Sequence, residues 1–210
     1  MFSRRLCLCG LMFLFILSTS RAEDGESLKP KIFQCHDAVV SETFDQQIPG
    51  KAIPVKGRWT VSHGAMQGAE LESDRHAAVL NYQKPNRDSA VKFRFKLSDT
   101  SGGFHFSLNH QTGHLFRVVV DSDGVSIKLD KDKKDPESKA VLLANANQEI
   151  AKNQWHTMLI EMKDDRVVTQ VSQGVVLEAR HSKLAVAKPN YRFVARGSAL
   201  FIDDLFVFEK

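Results

Sequence analysis

His105, Ser107 and Asn109 recur at every second position, and His110, His114 and Arg117 follow shortly after them. Imidazoles can bind a metal or move protons, hydroxyls and amides offer directional donors and acceptors, and a guanidinium supplies a rigid fork of donors. Three histidines so close together suggest zinc, which needs three or four convergent ligands held by oriented partners. Here His105 and His114 fall on different predicted strands and His110 in the loop between them. That arrangement favours hydrogen-bonded or solvent-facing histidines and no metal. A ligand rich in hydroxyls, such as a sugar, suits the set better. His105, Asn109, His114 and Arg117 are therefore the candidate ligand-binding residues, weighed against an ordinary solvated sheet face with no function attached.

The elements that must position them are legible as four strands: Val91–Leu97, Phe104–Asn109, His114–Val120 and Val125–Asp130. In the first, second and fourth, apolar residues alternate with Lys, Arg, His, Ser, Asn or Asp, the period of a sheet with one buried face. If the four are neighbours, Ser126 and Lys128 join the candidate residues on one polar face, with Lys92, Arg94 and Lys96 beside them. Turn signals separate the strands at 99–103, Gln111-Thr112-Gly113 and Ser122-Asp123-Gly124.

Other chemistry finds less support. Glycoside hydrolysis requires a pair of carboxyl groups about 5 Å apart, or further apart for inversion. Glu70 and Glu72 share one strand face, Glu161 and Asp121 stand alone, and no E-x-D-x-x-E run occurs. There is no G-x-S-x-G elbow for a serine nucleophile. Cys35 and His36 are adjacent, so in an extended chain their side chains point to opposite faces. Trp59 and Trp155 each alternate with apolar or small residues, which suits core packing better than stacking on a sugar. No cofactor is expected. A structural calcium between Asp203-Asp204 and Asp45 is one reading of those acids, and a capped turn is the simpler one. The charged run 131–139 contains Pro136, so it reads as an exposed loop, and it lacks the glycine of a calcium-binding EF-hand.

The first 22 residues read as a signal peptide: Arg4 and Arg5, then the apolar stretch Leu6–Leu17, then Ser20-Arg21-Ala22 as a cleavage site. The stretch is shorter than the roughly 20 residues that span a bilayer. Cleavage would leave no membrane span, remove Cys7 and Cys9, and place the protein in the periplasm or outside the cell. It also removes Arg4, Arg5 and Arg21, which lowers the formal net charge of +4 by three to +1. A nucleic-acid-binding domain normally carries a marked cationic surplus, so no nucleic-acid partner is expected.

Residues 23–43 read as a flexible lead-in and 44–209 as one β-sandwich domain. Trp59–Ser62, His63-Gly64 and Ala65–Gln67 form a predicted hairpin. Further strands are expected at 77–82, 155–162, 166–171, 175–179, 191–195 and 199–208, whereas Leu142–Ile150 reads as a short helix or loop. Short strands punctuated this often indicate an all-β fold, best met at this length by a two-sheet antiparallel jelly-roll sandwich.

Gly57-Arg58-Trp59-Thr60-Val61 with Gly64, Gln154-Trp155-His156-Thr157, and Phe201-Ile202-Asp203-Asp204-Leu205-Phe206-Val207 together resemble the concanavalin A-like lectin/glucanase superfold. The likeness is nearest to secreted 3-keto-disaccharide hydrolase-like domains and implies a jelly roll whose concave face handles carbohydrate. That family's Asn-Ser-Gly and Gly-x-Glu-x-Gln stretches correspond here to Thr100-Ser101-Gly102-Gly103-Phe104 and Gly113-His114-Leu115-Phe116-Arg117, without the acidic residue. No catalytic residue is carried over. The leading expectation is an exported domain that binds carbohydrate on its polar sheet face. A glycoside hydrolase with His105 or His114 as acid/base and Glu70 or Glu161 as carboxylate is the alternative, and a cell-envelope interaction module without a sugar ligand is a third.

Overall fold

The structure, a computed structural model, describes residues 28–209; the proposed signal peptide lies outside the described residues. The first seven strands are β1 (Ala38–Glu42), β2 (Ala52–Lys56), β3 (Arg58–Ser62), β4 (Ala65–Ala69), β5 (Ala78–Tyr82), β6 (Ser89–Leu97) and β7 (Ser101–His110). The remainder are β8 (Gly113–Asp121), β9 (Gly124–Leu129), β10 (Val141–Ala146), β11 (His156–Lys163), β12 (Arg166–Val171), β13 (Val175–Arg180) and β14 (Tyr191–Glu209). All pairings are antiparallel. No helix among the described residues is long and apolar enough to cross a membrane.

Two sheets pack face to face. The front sheet runs β10-β9-β8-β7-β14-β5-β2, and the back sheet runs β13-β12-β11-β6-β14, with β4 and β1 along the far side of β14 and β3 outside β4. The 19-residue β14 serves both: Tyr191–Gly197 pairs in the front sheet and Ser198–Glu209 in the back. It turns the corner at Gly197, whose φ is 72°. A Cβ there would meet the Thr100 carbonyl at 2.6 Å, so both the dihedral and the close approach require glycine. The sequence pattern divides this element into two strands because the corner residues are small and polar, although hydrogen bonding continues through them.

The core lies between the sheets. Phe93 and Phe95 of β6 meet Phe104 and Phe106 of β7 and Phe193 of β14, all fully buried. Phe193 sits edge-on to Phe93 at 5.3 Å and to Phe106 at 5.4 Å, the geometry that ring quadrupoles prefer. The predicted β3–β4 hairpin is present, with His63 and Gly64 both at positive φ (53° and 69°), the signature of a type I′ turn. Trp59 is buried in the core, as expected.

Four expectations are corrected. Leu142–Ile150 is neither helix nor loop at its start, because Val141–Ala146 forms the edge strand β10 against β9. Within the described part of the expected lead-in, residues 28–43, β1 pairs with β14 and the N–H groups of residues 31–33 are held by Glu161. Trp155 lies on the outer face of the back sheet beneath Arg94 (4.9 Å) and Lys96 (5.2 Å), a cation–π arrangement rather than core packing. Lys92, Arg94 and Lys96 do not flank the candidate site: β6 pairs with β11 and β14 in the back sheet, so the link from Leu97 to Ser101 crosses between sheets.

Candidate functional site

The outer face of the front sheet carries a row of side chains matched in register across the strands. Asn81 of β5 pairs with Arg192 of β14, Arg192 with Ser107 of β7, Ser107 with Arg117 of β8, and Arg117 with Lys128 of β9. The next row places Val194 beside His105, His105 beside Val119 and Val119 beside Ser126. Period-two alternation makes this possible: Phe104, Phe106 and Leu108 fill the core while His105, Ser107 and Asn109 point the other way.

His114 reaches the same face by a local irregularity. Asn109 pairs with His114 and Leu108 with Phe116, which leaves Leu115 without a partner on β7. That extra residue is a β-bulge, and bulges re-aim side chains. It explains why the predicted strand 114–120 lacks clean alternation. The Asp130 N–H donates to the Leu115 carbonyl at 2.9 Å, which anchors Asp130 beside the bulge.

Between these rows lies a hollow of about 270 Å³, lined by His105, Ser107, His114 and Arg117 together with Asp130, Arg192 and Arg196. Val194 adds an apolar patch to its floor. A second hollow of about 210 Å³ continues from it, sharing His114 and Asp130 and adding His110, Asp132 and Lys183. Lys183 comes from the single 3-10 turn Ser182–Leu184 that follows β13. The two hollows form one groove along the ends of β7, β8 and β9.

The electrostatics of the groove are set by its arginines. Arg117 donates to the Asp130 carboxylate. Arg192 Nη1 approaches His114 Nδ1 at 3.1 Å, and Asn109 Oδ1 lies 3.0 Å from the same nitrogen. A guanidinium can only donate, so we assign Nδ1 as acceptor, place the proton on Nε2 and turn the Asn109 amide to offer its NH2. Burial, followed by Arg192, pushes the His114 pKa down. Burial, then Arg117 and Arg196, lowers that of His105 to about 4. Both imidazoles are neutral at pH 7. Arg192 is itself shifted down by burial and by Arg117. Three buried atoms on this face make no hydrogen bond: Asn81 Oδ1, Ser107 Oγ and Asp130 Oδ2.

The four residues selected from the sequence, His105, Asn109, His114 and Arg117, thus share one face, and three of them line the central hollow while Asn109 braces His114. The sequence reading missed Arg192, Arg196, Asn81 and Asp130. Arg192 and Arg196 had a signal in the alternation of Tyr191, Phe193 and Ala195 with their neighbours, which gives both arginines outward parity. The carboxylates considered for hydrolysis lie elsewhere. Glu161 is fully buried on the back sheet, where its Oε1 accepts the N–H groups of Lys31, Ile32 and Phe33, each at 2.8 Å. Glu70 is exposed after β4 and lines neither hollow. Asp203 and Asp204 sit in a bulge within β14, where Asp204 has a φ of 48°. Among the described residues no group of three or more His, Cys, Asp or Glu is placed to hold a metal ion.

No known family profile and no curated protein sequence matches the chain. Solved structures do. Carbohydrate binding module CBM66 from Bacillus subtilis superposes with a TM-score of 0.60 at 14% identity, covering 76% of this chain and 96% of that one. SCLam, a non-specific endo-β-1,3(4)-glucanase from family GH16, gives 0.58 at 13% identity over 83% and 91% of the two chains. The β-glucanase of Bacillus licheniformis gives 0.58 at 10% identity over 81% and 97%. With two antiparallel sheets bridged by one long strand and these neighbours, the chain has the concanavalin A-like jelly-roll fold.

Proposed function

We propose that this protein binds carbohydrate, without cleaving it, in the groove on the outer face of the front sheet. The observation that carries the reading is the register-matched row Asn81–Arg192–Ser107–Arg117–Lys128, which lines up donors and acceptors across five strands beside a hollow with an apolar floor. Sugars present hydroxyls at ring edges and C–H groups on ring faces, so a groove combining polar side chains with Val194 matches both. The fold likeness to a carbohydrate binding module and to glucanases is consistent with such a ligand.

Hydrolysis finds no equivalent support. A glycosidase acting through two carboxyl groups needs both flanking the bond, and Asp130 is the one carboxylate of the central hollow, already paired with Arg117. His105 and His114 could shuttle protons, but Asp121, which acts on His105, does not line the hollow, so no second carboxylate stands there with Asp130. Export is part of the proposal, because the basic and apolar start of the chain would deliver the groove to the periplasm or the exterior, where polysaccharides are met. N-terminal sequencing of the exported protein should find Glu23; retention of the first 22 residues would refute cleavage.

A glycan array followed by calorimetry tests the binding. Asn109→Ala combined with Arg117→Ala should abolish measurable affinity while the chain stays folded. Unchanged affinity in that pair would overturn the assignment of the groove, and release of product from glycoside or keto-sugar panels would overturn the non-catalytic reading. Capture of an envelope protein with no glycan signal would favour an interaction module instead.

A further inference from the structure

We infer that the glycan held in this groove is an acidic one, whose carboxylate or sulfate groups are received by Arg192 and Arg196 beside Ser107; the inference rests on the carbohydrate reading above. The central hollow gathers three guanidiniums, Arg117, Arg192 and Arg196, against one carboxylate, Asp130. Asp130 is taken by Arg117. Arg192 meets only a neutral acceptor, His114 Nδ1, and Arg196 has no carboxylate partner among the described residues. Among the described residues neither Arg192 nor Arg196 is ion-paired, and the carboxylates that act nearby, Asp130 on Arg192 and Asp121 on His105, are outnumbered by Arg117, Arg192, Arg196 and Lys128.

For Arg192, which is half-buried, that excess is costly, whereas Arg196 reaches the hollow from an exposed position. Register places Arg192 and Arg117 on either side of Ser107, and strands are about 4.8 Å apart, so the two cations sit on strands only about 10 Å from one another. Burial and the neighbouring Arg117 both disfavour the charge on Arg192, and burial, then Arg117, Arg196 and Lys128, push His105 toward its neutral form. A neutral sugar would cover these charges without neutralising them, adding to the desolvation cost. A planar carboxylate or a sulfate would accept two parallel N–H donors from either guanidinium. Ser107 supplies the independent sign that a ligand belongs here: it is 5% exposed, lines the hollow and leaves its Oγ without a hydrogen bond. Lys128, next to Arg117 in the row, and Lys183 in the adjoining hollow extend the positive potential along the groove, with Asp132 beside Lys183 the only other acid lining it.

The decisive experiment is calorimetry on the exported form of the full chain at pH 7 and low salt. The probes are matched pairs: oligogalacturonate with its carboxyl-reduced counterpart, and a sulfated galactan oligosaccharide with its desulfated form. At least one acidic member should bind about tenfold or more tightly than its neutral partner, with affinity falling as salt rises. Arg196→Gln, at an exposed position, and Arg192→Gln should each lose about tenfold in acidic-glycan affinity, with the melting temperature of Arg196→Gln unchanged. If acidic and neutral members bind equally, the inference fails and the carbohydrate reading stands. If a DNA oligonucleotide or polyphosphate of equal charge binds as well as the acidic glycan, recognition is of charge alone and both readings fall. Silence toward every glycan defeats the carbohydrate reading itself.

Discussion

The two outer faces of this sandwich both carry polar side chains on alternating strands, yet they use them in different ways. At the centre of the back sheet Glu161 and Gln170 point at the protein's own chain, although Thr169 Oγ1 in the same sheet makes no hydrogen bond. Glu161 is fully buried and receives three successive backbone N–H groups of residues 31–33, while Gln170 Nε2 donates to the Lys29 carbonyl at 2.8 Å. Phe33 packs there with Ala90 and Leu159, so the N-terminal segment acts as a cover. On the front sheet the described residues leave a hollow open on the face, with His76 and Ala77 of the segment before β5 at its edge. Its charges crowd one another, and Asn81 Oδ1, Ser107 Oγ and Asp130 Oδ2 remain without hydrogen bonds. Polar residues satisfied within the fold hold it together, whereas polar residues left unsatisfied on an open face are spare for a ligand.

The sharpest way to break the contrast is Glu161→Ala. It removes the acceptor shared by Lys31, Ile32 and Phe33, and at roughly 1–3 kcal/mol for each donor left unsatisfied, the loss after partial rehydration should be about 3–5 kcal/mol. Urea unfolding measures it. Cys35, whose pKa is raised by burial and then by Glu161, packs beside Phe33 and should react faster with a thiol reagent once the cover loosens. Glycan affinity should not change, because the variant touches only the back face. A variant that is as stable as the parent would show that the cover is decorative.

The second prediction concerns pH and belongs to the front face. His105 of β7 has a pKa of about 4 in the folded protein, against the ordinary 6.5, and faces Arg117, Asp121, Lys128 and Arg196. A depressed histidine pKa means that the unfolded chain holds the proton when the folded one does not. Stability is therefore lost as pH falls from about 6.5 toward 4, by up to about 2–3 kcal/mol, and is fully present above 6.5. In His105→Gln, the denaturation midpoint should be less sensitive to acid through that window. Parallel pH profiles for parent and variant would mean that the imidazole titrates alike in the folded and unfolded chain, and that its pKa is not depressed.

How much of this contrast could be read from the sequence depends on which kind of information each part needs. Alternation is local, so the strands around Phe93, Phe106, Val118 and Ile127 were placed within two or three residues of their observed limits, and the outward parity of His105, Asn109 and Arg117 followed. Sheet membership is not local. Lys92, Arg94 and Lys96 have the same parity signal as His105, but the link from Leu97 to Ser101 carries the chain from one sheet to the other, and only long-range pairing reveals it. The bulge at Leu115 is likewise invisible to period counting, although it is what turns His114 onto the binding face. Glu161 looked like an isolated candidate acid because its partners lie some 130 positions away in the chain.

The third prediction separates binding from stability on the front face itself. Arg117→Ala removes both the ion pair to Asp130 and one wall of the hollow. Arg117 is about a third exposed, so its pairing is screened and the stability loss should stay near 1 kcal/mol. Affinity for glycan should fall about tenfold, equivalent to about 1.4 kcal/mol. A stability loss as large as that of Glu161→Ala would make the two faces alike and remove the distinction drawn above.

The smallest expected effect on stability is the most discriminating. Ser107→Ala deletes a hydroxyl that is buried and makes no hydrogen bond, so folding should be unaffected or improved by about 0.5–1 kcal/mol. If the hydroxyl belongs to a ligand site, the same change weakens binding severalfold, because the ligand loses the hydroxyl that stands between Arg192 and Arg117. Stability and affinity then move in opposite directions from one substitution, which a merely structural serine cannot produce. A Ser107→Ala protein that is less stable and binds as before would identify the hydroxyl as part of the fold and place the front face with the back.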